Sequence, residues 1–314
     1  MPADEFVTRW NKNQGLVSGY WGEVTSTLDW CERNYEVSKY VAEMWNTMSN
    51  VAFISLACYG MYQSRNEALP VRILLSYAGI AIIGIGSFLF HGTLKYEYQL
   101  LDEIPMVICA SLIVWVLFDI AHRPSKRSVL LPAGLFVYDV FVIVVYAIWP
   151  EPVFHQVAYA IVQGITTVRT TYLLMTQLKE TSYERRVKDD IYYLERLGSL
   201  IFVLGFFVWN IDNQFCTELD NLRQSLHPFL RPLLELHAWW HLCTGYGGYL
   251  MVVGIARLVL ALGDPQGSIA GCAKYEIIWR VNGLVPYVAR TELGWRDYAG
   301  KDVKEEAEAL AKKS

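Results

Sequence analysis

Charge is scarce in this chain. Asp, Glu, Lys and Arg supply only 18% of its 314 residues and balance to a formal net charge of −4, which leaves no electrostatic footprint for nucleic acid. There is no glycine-rich phosphate loop and no G-x-S-x-G elbow, which excludes a nucleotide cradle and a serine hydrolase of those types. Internal repeats are missing too, which argues against a transporter assembled from matching halves. After the third long apolar run the chain reads Asp119-Ile-Ala-His122-Arg-Pro, not the acidic-Arg-Tyr triplet of G-protein-coupled receptors. The start, Met1-Pro-Ala-Asp-Glu-Phe6, has no apolar h-region, so the first long run is expected to act as its own insertion signal.

What the chain holds instead is apolar, 54% hydrophobic with 14% aromatic, gathered into clumps. Windows near 44 to 63, 71 to 91, 101 to 121, 129 to 149, 153 to 175, 197 to 215 and 236 to 260 approach the roughly 20 residues that a bilayer demands. The expected fold is an all-α integral membrane protein, a seven-transmembrane helix bundle. A soluble all-helical core is the alternative, and the confinement of charge to the intervals between windows argues against it. Residues 1–43 form an N-terminal segment, 44–262 the membrane domain, and 263–314 a Gly/Pro-containing and then charged tail expected to fray. The interval 176 to 196 reads as a charged, solvated loop.

Lys and Arg set the orientation. Arg65, Arg72, Arg123, Lys126, Arg127, Lys179, Arg185, Arg186, Lys188 and Arg196 fall on the side that also holds the tail, so the C-terminus is expected to be cytosolic. The other side carries Arg9, Lys12, Arg33, Lys39, Lys95, Arg223 and Arg231, and the N-terminus is expected there, in the lumen. On this topology Cys58, Cys109 and Cys243 lie within spans and Cys272 in the tail. Cys31 and Cys216 are left on the oxidising side as a natural pair.

The stretch with the most chemistry is His237-Ala-Trp-Trp-His241, because imidazoles four residues apart share one face of a helix, the spacing of a helical zinc site. Two core histidines, each bonded to a neighbour, would read the same way. The span directions add a third imidazole. His91, closing Gly84-Ile-Gly86-Ser87-Phe-Leu-Phe-His91, lies near the lumenal end with Ser87 one turn before it. Asp102 starts the next span at that level; alone it is a helix N-terminal acid, and beside three imidazoles it is a general acid/base candidate. His155 also sits near the lumenal face but lacks a partner at helical spacing, so it is expected beside the ligands and not among them. The opening of the first window, Trp45-Asn-Thr-Met-Ser-Asn50, is polar and should look into the bundle. Asp29, Glu32, Asn34 and Glu43 offer hard oxygens suited to calcium, although no EF-hand is present and a solvated, helix-capping acidic stretch fits the composition better.

Four motifs in order, Ser26-Thr-Leu-Asp-Trp-Cys-Glu, Gly86-Ser-Phe-Leu-Phe-His91-Gly-Thr-Leu-Lys-Tyr, Gln99-Leu-Leu-Asp-Glu-Ile-Pro-Met106 and His237-Ala-Trp-Trp-His241, resemble the alkaline ceramidases, membrane amidases related to the adiponectin receptors. The likeness runs from about residue 20 to about 260, and the tail length is similar to that of fungal members. The resemblance implies zinc on His91, His237 and His241, with Ser87 and Asp102 as catalytic partners. It also implies calcium on Asp29, Glu32, Asn34 and Glu43 with the Trp30 carbonyl, a Cys31–Cys216 disulfide, and Tyr159 and Trp240 lining the substrate pocket. Endoplasmic reticulum or Golgi membrane is the implied location.

Such a site would hydrolyse a membrane lipid amide, ceramide, phytoceramide or dihydroceramide, to a sphingoid base and a fatty acid. Zinc activates a water, Asp102 moves its proton to the leaving amine, and Ser87 stabilises the oxyanion. Calcium would act through order, and losing Glu43 is expected to abolish calcium stimulation while sparing zinc. The rival is a seven-span lipid-binding receptor of the adiponectin-receptor type with structural zinc.

Overall fold

The computed structural model describes residues 18–120, 129–178 and 181–313. The polar start with Arg9 and Lys12, the cluster His122, Arg123, Lys126 and Arg127, and Lys179 lie outside the described residues. The long helices are α1 (Met44–Asn66), α2 (Val71–Thr93), α3 (Tyr96–Phe118), α4 (Leu130–Ile148), α5 (Pro152–Thr176), α6 (Ser182–Gln214) and α8 (Leu236–Leu262); the short α7 (Cys216–Ser225) and a 3-10 turn (Pro228–Leu234) join α6 to α8. Each apolar window falls on a long helix. Five of them, α2, α3, α4, α6 from Tyr183 and α8, are long and apolar enough to cross a bilayer, which makes this a multi-pass membrane protein. The polar opening of α1, where Asn46, Thr47 and Asn50 are buried, dilutes its apolar character.

Helix α6 begins well before its apolar window. The interval expected as a solvated loop is helical from Ser182, because a capping box starts it: the Glu184 amide donates to Thr181 Oγ1 at 3.1 Å and the Thr181 hydroxyl donates back to the Glu184 carboxylate at 3.1 Å. Val187, Ile191 and Leu194 then recur at helical spacing and are buried.

The residues cluster into two compact units, 1–57, 79–106 and 199–248 in the first, and 58–78, 107–198 and 249–314 in the second. In the first, Leu28, Trp30, Ala42, Phe90, Leu94 and Trp209 form a core that holds the N-terminal segment down. Carbonyls left open at the end of α2 are taken up by that segment: Ala42 N donates to Gly92 O, Glu43 N to His91 O, and Thr25 and Ser26 N to Leu94 O. A Cβ on Gly86 would lie 2.1 Å from the Leu101 carbonyl oxygen, so only glycine lets α2 and α3 meet there.

The second unit is built on Leu117, Leu174, Ile191, Ile255, Leu258 and neighbouring apolar residues. Here the tail departs from expectation. Instead of fraying it forms α9 (Ser268–Lys274), an antiparallel hairpin β1 (Tyr275–Arg280) and β2 (Val285–Arg290), α10 (Glu292–Tyr298) and α11 (Lys304–Lys313). A helical bundle thus carries one two-stranded sheet. Ala270, Ala273, Leu293, Val303 and Ala307 give the tail its own small core. Arg290 fastens it to the end of α1, donating from Nε to Glu67 O at 2.8 Å and from Nη2 to Ala68 O at 3.0 Å. Tyr249 of α8 donates to Pro286 O at 2.6 Å.

Candidate metal centre

Three imidazoles meet inside the first unit. His91 comes from the end of α2, and His237 and His241 from the first turns of α8, where the four-residue spacing brings their rings edge to face with centroids 4.6 Å apart. The His91 ring lies 5.0 Å from His237 and 4.7 Å from His241. One nitrogen of each falls within 4.8 Å of the others, and all three residues are buried. His155 is not in this cluster. It is buried in the second unit, its ring 5.3 Å from Tyr146.

The other ring nitrogens show how the triad is oriented. His241 Nδ1 lies 3.1 Å from the Asn46 carbonyl oxygen and 2.8 Å from Ser49 Oγ, with the Asn50 amide 3.3 Å away. A carbonyl can only accept, so Nδ1 carries the proton and Nε2 presents its lone pair. The Glu43 carboxylate holds His91 at Nδ1, which leaves His91 Nε2 available. His237 stacks on Trp30, 4.2 Å between rings at 21°, and its Nδ1 is buried with no partner, an orphaned polar atom of the kind a bound cation satisfies. Three converging imidazoles with this support fit zinc.

Ser87 and Asp102 stand beside the triad. The Ser87 hydroxyl is buried, 3.5 Å from His241 Nε2, and hydrogen-bonds the Asp102 side chain. The approach of α2 and α3 at Gly86 puts these two residues in reach of one another.

Asp29, Glu32, Asn34 and Glu43 are all buried, not solvated. Glu32 caps α1, accepting from Trp45 N at 2.7 Å and Asn46 N at 2.8 Å. Burial, together with the Glu43 and Glu235 charges, holds the Glu32 carboxyl well above the usual range. Asn34 donates to Asp29 Oδ1 at 3.1 Å while its own Oδ1 is buried without a partner. Crowded carboxylates and an orphaned amide oxygen fit a calcium ion. Trp30 N donates to Glu43 Oε1 at 3.2 Å, so Glu43 is shared between this group and the triad, and the expectation that its loss spares zinc does not follow from the geometry.

Cys31 and Cys216 are disulfide-bonded, tying the segment to α7. Beside them a polar cavity of about 210 Å³ is lined by Glu32, Arg33, Asp220, Arg223 and Glu235 among others. Burial pushes the Glu235 carboxyl up to about 7 against the opposing pull of Arg223, its ion-pair partner. The Arg33 hydrogen bonds hold Asp220 below its ordinary value. Trp240 packs among Phe202, Phe206 and Trp209 in the first unit, and Tyr159 against Val107, Val142 and Ala158 in the second. Asn46, Ser49 and Asn50 support His241, and their helical spacing on α1 marks one inward polar face without naming the histidine it meets.

Residues 22–289 match the family model Ceramidase, so the match extends past 260 through the hairpin. The chain is 40% identical over 235 residues to Alkaline ceramidase 3 of Mus musculus, covering 75% of this chain and 84% of the relative. It is 33% identical over 287 residues to Alkaline ceramidase YPC1 of Saccharomyces cerevisiae, covering 87% of each. An Alkaline ceramidase of Arabidopsis thaliana is 29% identical over 235 residues, 74% of this chain and 84% of the relative.

Proposed function

Because the chain belongs to the ceramidase family, we propose that it is a membrane-embedded, zinc-dependent amidase that cleaves ceramides to a sphingoid base and a free fatty acid. The observation that carries this reading is the buried His91–His237–His241 triad with a Ser87–Asp102 pair at its edge. A zinc ion held there supplies the positive charge that activates water and polarises an amide carbonyl.

The remaining work falls to the chain's own side chains. Asp102 takes the proton of the attacking water and returns it to the leaving nitrogen, since an amine leaves only when protonated. Ser87 donates its hydroxyl hydrogen to the oxygen that gains charge, from a buried position where such a bond is strong. Glu43, Asn46 and Ser49 hold the imidazoles at their second nitrogens and so set which lone pairs point inward. Asp29, the Trp30 carbonyl, Glu32, Asn34 and Glu43 would hold calcium, pinning the N-terminal segment against the start of α1. Ceramide, phytoceramide and dihydroceramide share the reacting amide and are the proposed substrates. We place the protein in the endoplasmic reticulum or Golgi membrane with seven spans, the N-terminus lumenal and the C-terminus cytosolic.

The test is release of sphingoid base from long-chain ceramide by purified protein, with metal content measured on the same sample. Activity that disappears on chelation and returns with zinc is the expected result. Undiminished activity in a zinc-free preparation removes the metal from the mechanism.

A further inference from the structure

The link between α6 and α8 carries an apolar surface that the chemistry does not use. Phe229 is 83% exposed and Leu233 56%, and Phe215, Leu222 and Trp239 are exposed with them. Large apolar side chains exposed along one connecting segment mark an interaction surface. The turn is tied by its own hydrogen bonds. Phe229 N donates to His227 Nδ1 at 3.3 Å, Leu230 N to His227 O at 2.8 Å and Glu235 N to Pro232 O at 3.2 Å, while Pro228 and Pro232 restrict the backbone. The Trp239 indole N–H donates to Leu233 O at 3.1 Å, which leaves the ring body outward and its one polar atom satisfied, the arrangement of an interfacial tryptophan.

Continuity identifies what covers it. Leu200, Val203, Leu204 and Phe207 form an exposed apolar stripe at helical spacing on α6, and the chain runs from that stripe into Phe215, Leu222 and Phe229. A membrane-crossing helix meets lipid along such a stripe. The segment from Leu226 to Leu234 has one charged residue, Arg231, held by Leu226 O at 3.4 Å and by Glu36 at 3.6 Å. Its apolar face can therefore leave water without burying an unpaired charge. His237 follows three residues after Leu234.

We infer that Pro228–Leu234, with Leu222 and Trp239, is an interfacial foot seated in the acyl region of the leaflet on the histidine side. Its partner is bilayer lipid. It fixes the start of α8, and the two histidines there, at the level where a membrane lipid carries its polar linkage, so the site takes its substrate from the bilayer and not from dispersed monomer. The seating rests on the membrane topology alone; only its kinetic consequence rests on the proposed ceramide hydrolysis.

Two measurements decide it. In nanodiscs, an environment-sensitive dye on Phe229→Cys, compared with labelled protein lacking that cysteine, is expected to emit blue-shifted light quenched by phospholipid spin-labelled high on its acyl chain. Water-like, unquenched emission overturns the foot, and so does cross-linking between Phe229→Cys copies without lipid quenching, which would assign the surface to a second copy. In vesicles, Phe229→Asp with Leu233→Asp is expected to raise KM for long-chain ceramide roughly tenfold or more, the scale set by two apolar side chains leaving lipid. Zinc content, kcat and turnover of a short-chain, water-dispersed ceramide should hold. Equal loss on both substrates, or no change on either, overturns the kinetic role. Protein that hydrolyses neither before mutation refutes the proposed function instead, and the quenching measurement still decides the foot.

Discussion

Lys274 in the tail and the imidazoles of the first unit are equally hidden from water, yet they are buried in opposite ways. Lys274 Nζ has Asp264 at 2.8 Å and Asp297 at 3.0 Å, so the charge carried inside is matched by its own chain. The triad is incomplete: His237 Nδ1 has no partner, and so has Asn34 Oδ1 in the acidic group beside it. Unmatched polar atoms are costly in a protein interior, and a fold keeps them where something absent from the polypeptide completes them.

The contrast breaks most sharply at the triad. His91→Ala, His237→Ala and His241→Ala are each expected to lose bound zinc and nearly all ceramide hydrolysis while the tail stays folded, because two imidazoles cannot hold the ion in place. Metal analysis beside an activity assay checks this, and a zinc-replete alanine variant would remove that histidine from the site. Asp102→Asn comes next. It should keep zinc and lower kcat by about 10²- to 10⁴-fold, the usual share of a general acid/base. Full activity in that variant would end the proton-shuttle assignment.

At the closed region the expected loss is of stability and not of chemistry. Lys274→Met leaves Asp264 and Asp297 facing each other without a cation and should cost about 3 kcal/mol, with zinc per folded molecule unchanged. A variant that melts like the parent would mean that the pairing contributes nothing.

Much of the site was legible because helix geometry projects directly from spacing. His237 and His241 at four residues, and Ser87 and His91 at four, read from the chain alone. The supports of His241 did not, since Asn46 and Ser49 sit 195 and 192 residues away and nothing in α1 names the partner. The tail failed for a similar reason. Composition described a charged, Gly/Pro-containing end, whereas the fold depends on pairings such as Arg290 with Glu67, 223 residues apart. The start of α6 is written in the Thr181–Glu184 box, upstream of the apolar window that marks the rest of the helix.

The acidic group sharpens the contrast from a third side. Asn34→Ala removes the orphaned oxygen without touching Glu43, which also holds His91. It should abolish a calcium-dependent rise in melting temperature, worth about 2 to 3 kcal/mol at calcium a hundredfold above Kd, and leave zinc in place. Thermal melts with and without calcium decide it, and a parent protein indifferent to calcium would show that the group is closed after all.

The smallest effect belongs to the exposed rim. Arg33 Nε and Nη2 each lie 2.8 Å from an Asp220 oxygen, and these bonds hold the Asp220 carboxyl below its ordinary value. A carboxyl depressed in the folded state adds stability that is fully present above its unfolded pKa, about 3.9, and disappears as pH falls through the lower folded value. Arg33 is largely exposed and Asp220 partly so, so solvent and salt screen the pair and its worth is at most about 1 kcal/mol. Asp220→Asn should therefore melt slightly below the parent at pH 6, with the gap closing toward pH 3 and shrinking in high salt. A gap that stays constant from pH 6 to pH 3 would show that Asp220 acts by packing against Arg33 and not by its charge.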